Sequence, residues 1–261
     1  MREKVMKFLS KNTEIKIMSA FIIAILLIMN RGIILGGNTT TNSSTEENIK
    51  NVLNDTNTGD AERDMPDATF FRRVQLNVNP IPQTSVLPTG SEVISLITIL
   101  NYYGYSVDEL TLAKKYLPKG NAGEVSPYEA FVGDPRSRDG YGAYAPVLVD
   151  TANKYLQDQE TLLEAKDVTG ITMDDVREYL RNGFPVMIWL TSDMQEPRDS
   201  VSWNIDGDSY TWKENEYCVT IIGFADNTYM IADPSNGIVE LNSDIVESVF
   251  TDMGQQAVVI Q

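Results

Sequence analysis

The apolar residues of this chain change their spacing near residue 185, and that change constrains the fold more than any other feature. From Ser91 to Tyr103 they recur at the spacing of a helix that is buried on most sides. Pro185 to Leu190 is instead a short, wholly apolar run of the kind found in central strands. Because helices come first and strands follow, the sequence predicts an α+β domain with helices packed on an antiparallel sheet.

Local signals mark the ends of several other predicted elements. A capping-box pattern at Ser106 predicts a second helix to about Tyr116, and Thr172 is typical of the cap of a helix through Arg181. The turn Asp226-Asn227 predicts a hairpin. The remaining predictions are a helix at 146–156, strands at 74–78, 217–224, 229–232 and 257–260, and a polar loop at 204–211.

The N-terminal region differs in composition from the rest of the chain. Residues 1–16 are basic, and residues 17–35 hold an uncharged apolar run, Ile17 to Met29, followed after an interruption by Ile33-Ile34-Leu35. This segment falls between a secretory signal, with about 7–15 apolar residues, and a spanning helix, with about 20. Because no clear Ala-x-Ala cleavage site follows, we favour an uncleaved signal-anchor over a cleaved signal peptide.

The segment after the anchor predicts a tether. Residues 36–66 are rich in Asn, Thr and Ser and carry too few apolar side chains to fold alone, so they predict a flexible stalk. The basic flank should stay in the cytoplasm, which predicts a single-pass cell-membrane protein with residues 67–261 outside. Cleavage of the anchor would release the same domain as a secreted protein.

Charge and composition exclude several classes of function. The formal net charge of −16 argues against a nucleic-acid partner, because phosphate binding needs a basic surface. The single cysteine, Cys218, excludes an intrachain disulfide and a cysteine-based zinc site, and we expect it to be a small core residue. The chain has no histidine, and the calcium-loop fragment Asp206-Gly207-Asp208 lacks the later glutamate. We therefore predict no metal and no cofactor.

A series of short motifs extends from about Leu76 to the C-terminus. It comprises Gln83 with Leu87-Pro88-Thr89-Gly90-Ser91-Glu92, Leu100-Asn101-Tyr102-Tyr103-Gly104, residues 127–135 and 140–146, Gly183-Phe184-Pro185-Val186, Glu216-Tyr217 and Ala232-Asp233-Pro234. In this order and spacing the series resembles the C39-like peptidases, a branch of the papain-like cysteine peptidases. The resemblance implies a papain-like fold for residues 67–261.

The resemblance also implies where a catalytic site would lie. In an active member a cysteine at a helix N-terminus is the nucleophile and a histidine on a strand is the base. These positions hold Ser91 and Tyr217 here, while Asp233 matches the residue that orients the histidine and Gln83 matches the oxyanion donor. With no imidazole to orient, Asp233 is free to hydrogen-bond Tyr217.

These two departures predict an inactive site. A serine hydroxyl needs an adjacent base, and a tyrosine with a pKa near 10 is neutral and cannot serve as one. Removing the nucleophile or the base from such a unit lowers turnover by roughly a millionfold. An amine or a carboxylate in contact with the Ser91 hydroxyl would contradict this prediction.

Three functions are weighed on this basis. We favour a membrane-tethered pseudopeptidase that binds a peptide or protein partner in a non-catalytic groove. The first alternative is an active hydrolase in which Ser91 works with a non-histidine base, such as Lys114, Lys115 or Lys213. The second is a structural envelope protein whose cleft is filled by Tyr217 against Ser91.

The aromatic residues suggest how a groove would be built. Trp189 lies in an apolar strand and is expected to be buried, whereas Trp203 and Trp212 flank a polar loop and are predicted at a cleft rim. The loop formed by 133–136 and 140–142 is expected to lie beside the cleft.

Overall fold

The computed structural model describes residues 73–261, which lie within one compact unit of the chain, Asp64–Gln261. The predicted basic terminus, signal-anchor and stalk fall at residues 1–66, outside the described residues. Within 73–261 no helix combines the length and the apolar character that crossing a membrane requires.

The main sheet has seven strands, and every pairing in it is antiparallel. Its strands are β1 Arg73–Gln75, β4 Ala165–Asp167, β5 Val186–Thr191, β8 Glu216–Ala225, β9 Thr228–Asp233, β10 Gly237–Asn242 and β11 Ala257–Ile260. Six of them follow the order β10-β9-β8-β5-β11-β4, and β1 pairs with the far half of β8. Two small sheets stand apart: β2 Lys119–Gly120 with β3 Phe131–Val132, and β6 Asp199–Ile205 with β7 Asp208–Lys213.

The helices are α1 Ser91–Tyr102, α2 Glu109–Thr111, α3 Ala145–Asp158, α4 Met173–Arg181 and α5 Ser243–Asp252. Helix α1 is buried at every position from Ser91 to Leu100, because its apolar residues face the protein on all sides. It packs on β8, where the Ser95 hydroxyl donates to the Cys218 carbonyl at 2.9 Å. This contact fixes the start of α1 beside the start of β8.

The α+β prediction is confirmed, with most predicted boundaries displaced by one or two residues. The closing strand and the hairpin of β8 and β9 form as expected, and Thr172 caps α4 in a capping box with Asp175. The second helix was predicted from Ser106, which is wrong. Asp108 accepts from the Thr111 N–H at 2.9 Å and caps α2 instead, and a π-helical turn at Leu112–Tyr116 follows.

The predicted polar loop at 204–211 is also wrong, because these residues belong to the β6–β7 hairpin. Asp206 and Gly207 form its turn with φ of 52° and 97°, the left-handed backbone that two-residue hairpin loops require. The fragment that resembles a calcium loop is therefore a turn. Trp203 anchors the hairpin by donating from its indole N–H to the Val125 carbonyl at 3.1 Å.

Candidate active site

An open groove of about 650 Å³ lies where α1 and β8 begin. Ser91 and Tyr217 both line it, as does Gln83 from the loop before α1. Asp233 is buried behind Tyr217 at the end of β9. The fold thus brings together all four residues that the resemblance marked.

Ser91 is the first residue of α1, where the free backbone N–H groups of a helix favour negative charge. Its side chain is only 6% exposed, and its Oγ accepts a hydrogen bond from the Cys218 backbone N–H at 3.2 Å. Cys218 itself points into the core and is fully buried, as predicted, and burial raises the pKa of its thiol well above the usual value.

The phenol of Tyr217 bonds to the turn after β9. It donates to Asp233 Oδ1 at 2.8 Å, lies 2.8 Å from Ser235 Oγ and accepts the Ser235 backbone N–H at 3.0 Å. Burial, together with the negative charge of Asp233, raises the pKa of Tyr217 well above its usual value. The phenol therefore stays protonated and acts as a donor to Asp233, as the sequence allowed.

Asp233 is held by several donors besides that phenol. Its Oδ1 accepts the backbone N–H groups of Ser235 at 2.7 Å and Asn236 at 3.1 Å, and its Oδ2 accepts from the Asn236 side chain at 3.0 Å. The carboxylate thus holds the turn at the end of β9 through these bonds, and this role does not require a histidine beside it.

Gln83 lines the groove, but its amide is engaged within its own loop. The side-chain Nε2 donates to the Leu87 carbonyl at 2.8 Å, and the backbone N–H donates to the Pro234 carbonyl at 2.7 Å. These bonds join the loop before α1 to the turn after β9. Donation to an oxyanion by Gln83 stays a prediction.

Glu92 is the site residue that sequence reasoning missed. Its Oε2 lies 3.3 Å from the Ser91 Oγ, and its Oε1 accepts the Ala143 backbone N–H at 2.9 Å. Burial raises the pKa of Glu92 to about 7, against the opposing effect of these hydrogen bonds. A carboxyl group therefore does contact the serine hydroxyl, which is the observation named above as contradicting an inactive site. An acid inside an otherwise uncharged, apolar helix was the available signal.

A second acid, Glu216, lines the groove itself at the start of β8. Burial, and then the charge of Glu92, raise the pKa of Glu216 well above its usual value. Its Oε1 is enclosed and has no hydrogen-bond partner among residues 73–261. Sequence reasoning gave this residue no role beyond its place in the motif.

The three lysines considered as bases for Ser91 do not contact it. Lys115 pairs with Asp158 at 2.7 Å, Lys213 pairs with Asp199, and Lys114 is an exposed residue of the π-helical turn. None of the three hydrogen-bonds Ser91 in the described part of the chain. A serine–lysine pair is therefore wrong for this site.

The aromatic predictions have mixed outcomes. Trp189 is fully buried, as expected, and donates to the Ala143 carbonyl at 2.9 Å. Trp212 lines the groove, but Trp203 does not, because it packs between Tyr141 and Tyr210. Of the loop predicted at 133–136 and 140–142, Gly140 and Tyr141 line the groove, next to Arg138 and Asp139, which were not in the prediction.

No three His, Cys, Asp or Glu side chains within 73–261 are grouped so that they could hold a metal ion.

The family model described as the Peptidase_C39 like family matches residues 75–258. This chain belongs to the C39-like peptidase family. A Bacillus subtilis (strain 168) relative, the uncharacterized protein YvpB, is 30% identical over 181 residues, which cover 67% of this chain and 70% of YvpB.

A solved structure supports the same papain-like fold. A crystal structure from Bacillus anthracis, described as that of a C39-like peptidase, superposes with a TM-score of 0.65 at 30% identity. The match covers 72% of this chain and 97% of that one. A double glycine motif protease from an AMS/PCAT transporter, solved with its leader peptide, reaches only 0.40 at 19% identity over 72% and 91% of the two chains. That likeness is too distant to say anything about ligands.

The groups to compare as acceptors of the Ser91 proton are Glu92, which contacts its hydroxyl, and Tyr217, at the position that the resemblance marks for the base. Glu92 can accept the Ser91 proton, but it is 1% exposed and is not among the side chains that line the groove. Tyr217 does face the groove, but a protonated phenol cannot accept a proton. Proton acceptance and access to the groove are therefore divided between two residues.

Proposed function

We propose that this chain is a membrane-tethered C39-like pseudopeptidase that binds an extended peptide in its groove without cleaving it. The observation that carries the proposal is the Tyr217–Asp233 hydrogen bond of 2.8 Å, which holds a protonated phenol where an active member needs a base. Peptide cleavage needs one group that takes the nucleophile's proton and then delivers it to the leaving amine. Tyr217 cannot take the nucleophile's proton, because its phenol is already protonated.

Glu92 cannot deliver a proton to the leaving amine. It lies on the core side of Ser91, with its Oε1 held by Ala143. Proton transfer to a leaving group requires hydrogen-bond reach from the groove, within about 3.2 Å or through one water. The open volume beside Ser91 and the polar wall formed by Arg138, Asp139 and Gly140 still suit an extended chain.

The test is incubation of the purified full-length chain with a diverse peptide library, followed by mass spectrometry of bound and cleaved fractions. We expect bound peptides and no cleavage by either the natural chain or Ser91→Ala. Cleavage that disappears in Ser91→Ala would overturn the proposal.

A gain-of-function experiment tests whether the groove is intact. Cysteine and histidine introduced together, as Ser91→Cys with Tyr217→His, should restore labelling by a thiol-directed peptidase probe. Each single substitution is the matched control, and Cys218 should contribute little background because it is fully buried.

A second candidate function follows from the 3.3 Å contact between Ser91 and Glu92. In it, Ser91 is a nucleophile and Glu92 its base, and the chain hydrolyses a substrate whose leaving group needs no proton, such as an activated ester. This function predicts ester turnover that rises with pH through about 7, where Glu92 ionises, and is lost in both Ser91→Ala and Glu92→Gln. Pseudopeptidase function predicts no such turnover.

The structural-envelope alternative has no observation in its favour. It expects Tyr217 to fill the cleft against Ser91, whereas the phenol bonds to Asp233 and Ser235 beside an open groove.

The location of the domain is part of the proposal. The basic residues 1–16 and the apolar residues 17–35 support an inserted segment with residues 67–261 outside the cell. Protease treatment of intact cells should degrade the domain, and membrane fractions should retain it. Recovery from the medium would indicate cleavage, and protection from protease in intact cells would contradict export.

A further inference from the structure

Glu216 is an acidic residue of the groove that has no cationic partner among the described residues. Its side chain lines the groove beside Trp212 and Tyr217, yet its Oε1 is enclosed and receives no hydrogen bond within residues 73–261. It is the one side-chain oxygen or nitrogen of the described residues in this condition. A buried acceptor left unpaired destabilises the folded protein, so this unpaired oxygen calls for an explanation.

The surroundings of Glu216 offer no charge to balance it. Glu92 lies near it, and Tyr144 and Cys218 are the other titratable groups close to both acids. All four lose a proton to become negative, and neither acid takes part in any ion pair formed by residues 73–261. No ion pair among the described residues therefore balances a charge on either acid.

Acidic residues also outnumber basic residues in the rest of the groove lining. Asp139 and Glu214 line it together with Glu216, although Glu214 is paired with Arg198 at 2.7 Å, and Arg138 is the one basic residue among the lining residues that the structure describes. Tyr141 and Trp212 present aromatic surface in the same groove, of the kind that packs against the stem or the cationic head of a basic side chain.

We propose that the groove takes the lysine or arginine side chain of a bound peptide, with the Glu216 carboxylate as its counter-ion. The inference rests on the proposed peptide-binding function and names the class of peptide. An ammonium or guanidinium group that enters the groove beside Glu216 can form a charge-assisted bond with its carboxylate. The strongly negative chain would also attract basic peptides before they dock.

Binding of this kind should favour release of a proton. Burial and the charge of Glu92 raise the pKa of Glu216, whereas pairing with a cation favours its ionised form. The proton goes to solvent, so affinity for a basic peptide should rise with pH while affinity for a neutral peptide should not.

The experiment compares peptides bound to the full-length chain that differ at a single position, which holds lysine, arginine, norleucine or glutamate. Norleucine keeps the length of the lysine stem without its charge. We expect lysine and arginine to bind at least about tenfold more tightly than norleucine at pH 8, as expected for a charge-assisted bond. Glu216→Gln should abolish that preference, and Glu240→Gln, at an exposed carboxyl on β10, should keep it.

Calorimetry of the natural chain in two buffers of different ionisation enthalpy gives a readout that needs no variant. Greater proton release on binding of the lysine peptide than on binding of the norleucine peptide at pH 7 supports the inference. Equal binding of all peptides, a preference that survives in Glu216→Gln, or no proton release would overturn it while leaving the pseudopeptidase proposal standing. Failure of every peptide to bind would overturn both.

Discussion

The phenol of Tyr217 donates a hydrogen bond to the buried carboxylate of Asp233 at 2.8 Å. In the proposed assignment, this pair takes the positions of the base and its orienting residue in the C39-like family, with a protonated phenol in place of the base. A phenol here can donate a proton in a hydrogen bond, but it cannot take one from Ser91.

Removing that hydroxyl should weaken the fold modestly. Tyr217→Phe deletes the bonds to Asp233 and Ser235, while Asp233 keeps its bonds to Ser235 and Asn236. We expect a loss of about 1–2 kcal/mol in the free energy of unfolding, measured by urea denaturation. Tyr128→Phe is the matched control, because that ring is 43% exposed and its change should be near zero. Equal losses in the two variants would contradict the structural role of the pair.

Glu92 should make the stability of the protein depend on pH. Its pKa is about 7 in the folded protein, against an ordinary value near 4.5, so the folded state holds the proton more tightly. The stabilisation that this tightly held proton gives the folded state is fully present below pH 4.5 and is lost as pH rises through 7. The shift corresponds to roughly 3 kcal/mol between these limits.

Glu92→Gln tests this dependence because an amide cannot ionise. The variant should lose less stability than the natural chain between pH 4.5 and 7 and should be the more stable of the two at pH 8. Denaturant titrations at a series of pH values measure the difference, with Glu240→Gln as the exposed control. A pH profile that is unchanged in Glu92→Gln would show that Glu92 is not the titrating group.

Gly142 should tolerate no larger residue. A Cβ there would stand 2.6 Å from the ring of Trp212 and would also collide with the Glu92 carboxyl. Trp212 is stacked on Tyr144, with ring centroids 5.4 Å apart, and cannot easily withdraw. We expect Gly142→Ala to cost about 1–3 kcal/mol and to change tryptophan fluorescence. Unaltered stability and fluorescence would mean that the groove wall is looser than the contacts indicate.

The hairpin turn of β6 and β7 gives a further prediction. Gly207 has a φ of 97°, a backbone conformation that residues with a side chain rarely adopt, and the space around it is open. Gly207→Ala should therefore destabilise the hairpin by about 1 kcal/mol through backbone strain alone. Hydrogen exchange of the β6 and β7 amides should rise while exchange in α1 stays constant. Protection of β6 and β7 equal to that of the natural chain would contradict this account.

The sequence by itself determined the elements whose signals are local. The apolar run of α1, the Thr172 cap and the Asp226-Asn227 turn are each set by residues close together in the chain. The β6–β7 hairpin carried such a signal in Asp206-Gly207, but its polar strands concealed the alternation. The family's motifs and the lack of histidine were also readable from the sequence, and they located Ser91, Tyr217, Asp233 and Gln83.

Only the tertiary structure decided what those residues and their neighbours do. Glu92 and Glu216 are far apart in the chain, and each is an ordinary acid until the packing of α1 on β8 buries them near one another. Desolvation then raises both pKa values, and the charge of Glu92 raises that of Glu216 further. These effects depend on distance and burial rather than on residue type. The sequence therefore could not show that Glu92 contacts Ser91 with a raised pKa, or that Glu216 lies in the groove without a cationic partner.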